Sequence, residues 1–130
     1  MSRRKSAPRP TDAELSILRV LWRCGPSTVR EVHEQLSRER PMVYTTVLKL
    51  LQIMTEKGLV TREDAGRAHI YQAAQSEEYA QRTLVGDLLD RVFGGSAQKL
   101  VLQALTARKA SPEELAEIRK LLDELEGGES

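Results

Sequence analysis

The sequence is poor in the residues that build disulfides, metal centres and membrane spans. Its 130 residues include one cysteine, Cys24, so the chain cannot form an internal disulfide or a site with several thiolate ligands. No apolar run approaches the roughly 20 residues needed to cross a bilayer, so no membrane span is expected. The first ten residues lack the apolar stretch of a signal peptide, and we expect a cytoplasmic protein.

Groups that could carry catalysis are equally scarce. Cys24, His33 and His69 are the only cysteine and histidine residues, and they fall on three separate predicted elements. The sequence contains no nucleophile motif and no glycine-rich phosphate loop. His33 is therefore expected to be a packed or surface residue and not a ligand. We predict that the protein is not an enzyme and that it requires no metal and no other cofactor.

The formal net charge of +1 hides an uneven distribution of charge along the chain. Residues 1–75 contain 13 lysines and arginines against 8 aspartates and glutamates, whereas residues 76–130 contain 7 against 11. Residues 1–10 are basic, contain two prolines and cannot build a core, which predicts a flexible arm. A basic front half suits an anionic partner, although chance clustering on a solvated surface would give the same pattern.

The front half of the chain carries the signals of three helices and a hairpin. Residues 11–14 and 28–31 form capping boxes, in which a threonine and a glutamate satisfy free backbone N–H groups, and they begin the first two helices. A third helix is predicted over residues 43–57. Two runs with strand character, residues 59–63 and 68–73, flank a turn that contains glycine.

The scarcity of aromatic residues, 4% of the chain, predicts an aliphatic core. Trp22 and Cys24, at the end of the first helix, are expected to be buried. The buried face of the third helix is expected to consist of residues at helical spacing, namely Val43, Val47, Leu50, Leu51 and Met54.

The order helix, helix, helix, hairpin predicts a winged helix-turn-helix over residues 11–75, with the third helix in the DNA major groove. The first N–H groups of that helix lack a capping side chain and are left for water or a phosphate. The residues expected to contact DNA are Thr28, Tyr44, Thr45, Thr46, Lys49, Arg62 and Arg67. Plainer interpretations stay open: Thr46 as packing between helices, Tyr44 as the edge of the domain, and Lys49 as an ordinary solvated lysine.

Residues 76–126 are predicted to be helical, and residues 127–130 to form a frayed tail. About 55 residues without a disulfide or metal rarely form a stable core alone, since roughly 70 to 80 are usually needed. We predict that two copies share these helices in a homodimer that reads a palindrome, with recognition helices roughly 34 Å apart. The alternative is packing onto the winged helix of the same chain. The dimerisation residues are expected to be Leu84, Leu88, Val92, Leu100, Val101, Leu105, Ile118 and Leu122.

Six stretches of the sequence resemble the penicillinase and methicillin-resistance repressors of the BlaI/MecI type, which also have copper-responsive relatives. They are TDAELSILRVLW, TVREVHEQL, YTTVLKLLQIMTEKGLV, GRAHIYQA, FGGSAQKLVLQAL and SPEELAEIRKLL, in this order. The resemblance implies a cytoplasmic bacterial repressor that dimerises through its C-terminal helices and binds a palindromic operator in double-stranded DNA. It implies that Thr45, Thr46, Lys49 and Arg67 face the DNA.

Three departures from the family pattern limit this comparison. Better-known members carry lysine at the position of Thr45 and arginine at that of Leu48, so the operator sequence is not carried over. No cysteine follows Cys24, which excludes copper sensing through a cysteine-rich C-terminal site. Members that respond to β-lactams are cut by a signalling protease at an Asn-Phe bond, where this chain has Gln103-Ala104. Cleavage in this helix is a hypothesis.

A second function stays open at this point. The winged helix could bind another protein through the same helix and hairpin, without sequence-specific DNA binding. The two interpretations differ in their dependence on salt, because duplex affinity falls by about 0.9 in log K per log unit of salt for each phosphate neutralised. The basic front half favours DNA.

Overall fold

A computed structural model describes residues 9–127, so residues 1–8 of the predicted arm and residues 128–130 of the predicted tail lie outside the described range. Within that range the chain forms six helices and one two-stranded antiparallel sheet. The elements are α1 (Asp12–Cys24), α2 (Val29–Ser37), α3 (Tyr44–Lys57), β1 (Val60–Ala65), β2 (Ala68–Ala73), α4 (Glu77–Val92), α5 (Ala97–Ala107) and α6 (Pro112–Gly127). The prediction of a mainly α fold with a small hairpin is confirmed.

Capping side chains begin five of the six described helices, and the two predicted capping boxes begin α1 and α2 as expected. In α1 the Thr11 N–H donates to Glu14 Oε1 at 2.9 Å, and the Glu14 N–H donates to Thr11 Oγ1 at 3.2 Å. The same reciprocal pair opens α2 at Thr28 and Glu31, with distances of 2.9 and 3.1 Å. The serines at positions 76, 96 and 111 cap α4, α5 and α6 in turn. These bonds satisfy N–H groups that a helix leaves without internal partners.

The core of the winged helix is aliphatic, with one aromatic side chain from β2. Its buried hydrophobic members are Ile17, Leu18, Val20, Leu21, Val29, Val32, Leu36, Val47, Leu51, Met54, Val60 and Tyr71. They come from α1, α2, α3 and both strands, so each element contributes one face to a common interior. Helix α3 supplies residues at offsets of four and seven, as expected for one face of a helix.

Four expectations about burial are wrong or incomplete. Val43 is the N-cap of α3 and 66% exposed, because the helix begins one residue later than predicted. Leu50 is half-buried. Cys24 is exposed, since it is the last residue of α1 and lies beyond the buried stripe. Trp22 is half-buried, and its indole N–H donates to the Gln75 carbonyl at 2.9 Å.

An isolated antiparallel bridge between Ser27 and Tyr71 joins the hairpin to the segment before α2. Strands β1 and β2 pair in register from Val60 opposite Ala73 to Ala65 opposite Ala68. Only two residues close the turn, and Gly66 at the first has φ of 67°, a conformation that glycine adopts without steric cost. The Ser27 N–H donates to the Tyr71 carbonyl at 2.9 Å, and the Tyr71 N–H donates to the Ser27 carbonyl at 2.8 Å. This bridge fixes the wing beside α2.

The chain divides into two compact units, one extending to Leu84 and the other beginning at Val85, so the division falls inside α4. No residue of α4, α5 or α6 is buried. The large apolar side chains that these helices expose are Tyr79, Val85, Leu88, Val92, Val101, Leu102, Leu121, Leu122 and Leu125. No helix within residues 9–127 is long and apolar enough to cross a membrane.

One buried ion pair joins the start of α1 to the end of α3. Glu14 is 2% exposed, and both of its carboxylate oxygens accept hydrogen bonds from Lys57 Nζ at 2.9 Å. Burial alone would raise the pKa of Glu14. The hydrogen bond from the Thr11 N–H and the interaction with Lys57 outweigh burial and hold this pKa below its ordinary value. The pair therefore stabilises the fold only while Glu14 is ionised.

We expect Glu14→Gln to lower the free energy of unfolding by about 2 kcal/mol at neutral pH. The neutral amide replaces the charged carboxylate that accepts hydrogen bonds from Lys57 and Thr11. The folded pKa of Glu14 lies below the unfolded value near 4.3, so the stabilisation is complete above that value. It is lost as the pH falls through the folded pKa. The difference from wild type, measured by urea unfolding at one protein concentration, should therefore shrink as the pH falls below about 4.3, the unfolded value.

The matched control is Glu34→Gln, which makes the same change at an exposed position of α2. It should leave the free energy of unfolding within about 0.5 kcal/mol of wild type. A deficit in Glu14→Gln that stays constant as the pH falls would contradict the assignment.

Candidate nucleic-acid interface

Helix α3 presents a polar face because its other face is fully used in packing. Val47, Leu51 and Met54 are buried against α1, α2 and β1. Thr45, Thr46 and Lys49 are all exposed, and their spacing of three and four residues makes them neighbours on the helix surface. Because Thr46 is exposed, packing between helices does not account for it.

The start of α3 is open in a way that the starts of the other helices are not. The N-cap Val43 offers no side-chain hydrogen bond, whereas Thr11 and Thr28 cap α1 and α2. The N–H groups at this end carry the positive end of the helix dipole. Tyr44, the first helical residue, is 42% exposed beside them. The helix therefore offers uncapped N–H groups and a phenol at one end, which are suited to phosphate oxygens.

The cations near this face differ in whether they are already paired. Among residues 9–127, neither Lys49 nor Arg67 forms an ion pair, and both are exposed. Arg62 lies 3.7 Å from a carboxylate oxygen of Asp64, which also lies 2.7 Å from His69 Nδ1. Arg62 is thus partly neutralised, while Arg67 at the tip of the wing carries its full charge outward.

Both histidines have partners that were not predicted from the sequence. Asp64 faces His69 across the hairpin, a pairing that the strand register alone would have indicated. His33 donates from Nε2 to the Met42 carbonyl at 2.9 Å, and its ring makes an edge contact with Tyr44. No sequence signal marked this second pair of interactions, because they join α2 to the residues at the start of α3.

Thr28 has a structural role in addition to its predicted one. Its hydroxyl accepts the Glu31 N–H, as the capping box requires, and the side chain is half-buried. The hydroxyl hydrogen is not used by that bond and stays available as a donor. Contact of Thr28 with DNA remains a prediction.

The predicted dimerisation residues are apolar side chains that the single chain leaves uncovered to different degrees. Leu84, Leu100, Leu105 and Ile118 are half-buried. The exposed members are Leu88, Val92, Val101 and Leu122. Within the described residues, no cluster of three or more histidine, cysteine or acidic side chains could hold a metal ion.

Comparison with known proteins identifies the family. The family model described as penicillinase repressor matches residues 10–124. The chain belongs to the penicillinase repressor family. It is 35% identical over 118 residues to the transcriptional regulator BlaI of Mycobacterium tuberculosis, covering 90% of this chain and 85% of that protein. The prediction of a transcriptional repressor and not an enzyme is confirmed at this level.

Two solved structures resemble the front part of this penicillinase-repressor chain. One is the solution structure of the DNA-binding domain of the repressor BlaI, with 27% identity, a TM-score of 0.51, and coverage of 57% of this chain and 90% of that one. The other is the monomeric form of Bacillus licheniformis BlaI in complex with the blaP half-operator, with 26% identity, a TM-score of 0.50, and coverage of 56% and 89%. The winged helix-turn-helix prediction is confirmed.

We expect Lys49→Ala and Arg67→Ala each to weaken binding to a mixed-sequence duplex by about tenfold at low salt. Each change should also reduce the slope of log K against log salt by about 0.9 for every phosphate that is no longer neutralised. Lys109→Ala removes an exposed cation between α5 and α6 and serves as the charge-matched control. Normal binding by both front-half variants, measured by fluorescence anisotropy, would show that the recognition surface is elsewhere.

Proposed function

We propose that this repressor acts as a homodimer that binds a palindromic operator and blocks a promoter by occupying it. The observation that carries this proposal is the polar outer face of α3, whose two threonines and one unpaired lysine are exposed while the inner face is buried. Occupancy of a promoter needs no catalytic residue. The action takes place in the cytoplasm, where the promoter is.

Short hydroxyls and a cation on one helix face suit the edges of bases. Thr45 and Thr46 can donate to or accept from bases and phosphates, and Lys49 matches guanine acceptors or a phosphate. Arg67 on the wing is suited to the neighbouring backbone or the minor groove. A related repressor, Bacillus licheniformis BlaI, forms a complex with a half-operator, which supports a full operator made of two half-sites. Leu48 is half-buried and packs against the core, so it is poorly placed to read a base.

The rear helices support the dimer because they leave large apolar side chains exposed among the described residues. None of their residues is buried, and each of α4, α5 and α6 exposes at least two large hydrophobic side chains. Apolar area removed from water stabilises an interface by roughly 25 cal/mol per Å² before the cost of association. A twofold arrangement would bury the same face from each copy.

Signal-driven relief of repression is proposed to occur by cutting α5. Gln103 and Ala104 are exposed near the middle of that helix in the single chain, and a cut there would separate α6 from α4. Loss of half the dimer core would weaken binding to both half-sites together. Immunoblots of native cells during derepression should show a shortened chain, and an intact chain throughout would refute this part of the proposal.

A second candidate function is a winged helix that binds another protein through the same surface. Its supporting observation is that Tyr44, an aromatic residue common at protein interfaces, is exposed at the start of α3. This function predicts no enriched DNA sequence. The absence of ion-pair partners for Lys49 and Arg67 among the described residues favours DNA over this alternative.

The test of the main proposal is a binding selection with randomised duplexes at near-physiological salt. Enrichment of a palindrome whose half-sites are about one helical turn apart supports a dimeric operator-binding repressor. Weak binding without an enriched motif, disappearing as salt rises, would favour the protein-binding alternative.

We expect Leu122→Asp to convert the dimer to a monomer and to lower operator affinity by about 100-fold, because the two half-sites would no longer be bound together. Leu122 is 54% exposed in α6, so a charge there is tolerated in the single chain. Ala116→Asp places the same charge on another side of α6 and should stay dimeric. Leu88→Asp tests the same interface from α4. Sedimentation and operator titration decide the outcome, and a dimeric, fully binding Leu122→Asp protein would refute the shared core.

A further inference from the structure

We propose that His33 is a positioning residue that holds the amino end of α3 in the geometry needed to distinguish the operator from other DNA. The proposal rests on the proposed operator binding. His33 is placed on α2, and its ring nitrogen Nε2 lies 2.9 Å from the carbonyl oxygen of Met42, two residues before α3 begins. It therefore acts on the recognition helix through the backbone that leads into it.

The segment from Pro41 to Val43 has few polar contacts to orient it, although the Met42 side chain is half-buried against the core. Pro41 has no N–H, and Val43 caps α3 without a side-chain hydrogen bond. The turn before this segment ends at Arg40, which two hydrogen bonds hold in place. Its N–H donates to the Leu36 carbonyl, and its guanidinium donates to Ser16 Oγ at 3.0 Å. Among the described residues, the bond from His33 is the only hydrogen bond that this segment receives from outside α3.

The contact between His33 Nε2 and the Met42 carbonyl requires the histidine to be the donor. A carbonyl oxygen only accepts, so Nε2 carries the hydrogen and donates it to Met42. Both the neutral ring protonated at Nε2 and the fully protonated ring can make this bond. His33 itself is half-buried and follows the fully buried Val32, so its ring is held on an anchored part of α2.

The same imidazole also touches a residue of the recognition face. The rings of His33 and Tyr44 lie 5.7 Å apart at an angle of 76°, an edge-to-face arrangement that favours one ring orientation. The residues on either side of Val43 are thus both in contact with His33. This double contact sets where the first turn of α3 lies and where the Tyr44 phenol points.

Base recognition is more sensitive to such positioning than phosphate attraction is. A bidentate or hydroxyl contact to a base edge requires geometry within about 0.5 Å, whereas attraction to phosphates tolerates small shifts of the helix. Loss of the His33 bond should therefore reduce the preference for the operator over a scrambled duplex. It should leave affinity for the scrambled duplex and its salt slope almost unchanged.

The experiment compares His33→Leu, which removes the donor, with His33→Gln, whose amide can donate from a similar position. Gln35→Leu, which removes another half-buried polar side chain of α2, is the control. We expect His33→Leu to lower the operator-to-scrambled affinity ratio by about tenfold, and His33→Gln to recover most of it. Gln35→Leu should keep the wild-type ratio. All affinities are measured on the full-length protein over a series of salt concentrations, which gives the salt slopes, and the affinity ratios are compared at one concentration of that series.

Amide hydrogen exchange in the free protein measures the effect of the His33 bond on α3 without DNA. The Thr46 and Val47 N–H groups both donate to the Val43 carbonyl, and the Val32 N–H donates to the Thr28 carbonyl at the start of α2. In free protein, His33→Leu should speed amide hydrogen exchange at Thr46 and Val47 at least threefold and leave Val32 unchanged. His33→Gln should restore slow exchange.

Three outcomes would overturn the proposal. Unchanged exchange at the start of α3 in His33→Leu would show that the bond does not hold the helix. An equal loss of affinity for both duplexes with a lowered melting temperature would indicate a role only in stability. A loss of scrambled-duplex affinity with a smaller salt slope would instead make His33 a phosphate contact. A wild-type chain without operator preference, but with faster exchange in His33→Leu, would refute operator binding and leave the positioning role standing.

Discussion

The burial of one face of α3 is the constraint on which the rest of the front unit depends. Val47, Leu51 and Met54 are fully buried, so the rotation of the helix about its axis is determined by packing. A helix has 3.6 residues per turn, so Thr45 and Lys49 lie on the side opposite these buried residues and face outward. The Glu14–Lys57 pair secures the far end of the same helix to α1. The position of the polar face of α3 is thus a consequence of how the interior is filled.

The winged helix and the rear helices differ in how much of their apolar surface is buried. The winged helix closes its own aliphatic core, with Tyr71 of the wing sealed into it. Helices α4, α5 and α6 have no buried residue, and their hydrophobic side chains stay accessible. In the proposed dimer, the rear helices of two copies would cover each other, while the winged helix would keep the core that it already has.

Local signals were sufficient for most of the elements. The threonine and glutamate pairs at positions 11 and 14 and at 28 and 31 began α1 and α2 where expected, because capping depends only on residues three apart. Burial was harder to predict. Val43 fitted the helical spacing of the apolar stripe but lies outside the helix, and Cys24 lies just beyond the packed part of α1. Periodicity identifies a face and says little about where along the helix packing stops.

The order of helices and hairpin, the aliphatic core and the family could all be predicted from the sequence, because each rests on neighbouring residues or on motifs in a set order. The pairing of charges and the contacts at the start of α3 depend on tertiary packing. Asp64 meets His69 and Arg62 through the closing of the hairpin, and His33 reaches Met42 because α2 and α3 pack together. Such contacts join residues whose separation is set by turns and packing, and no local periodicity encodes them.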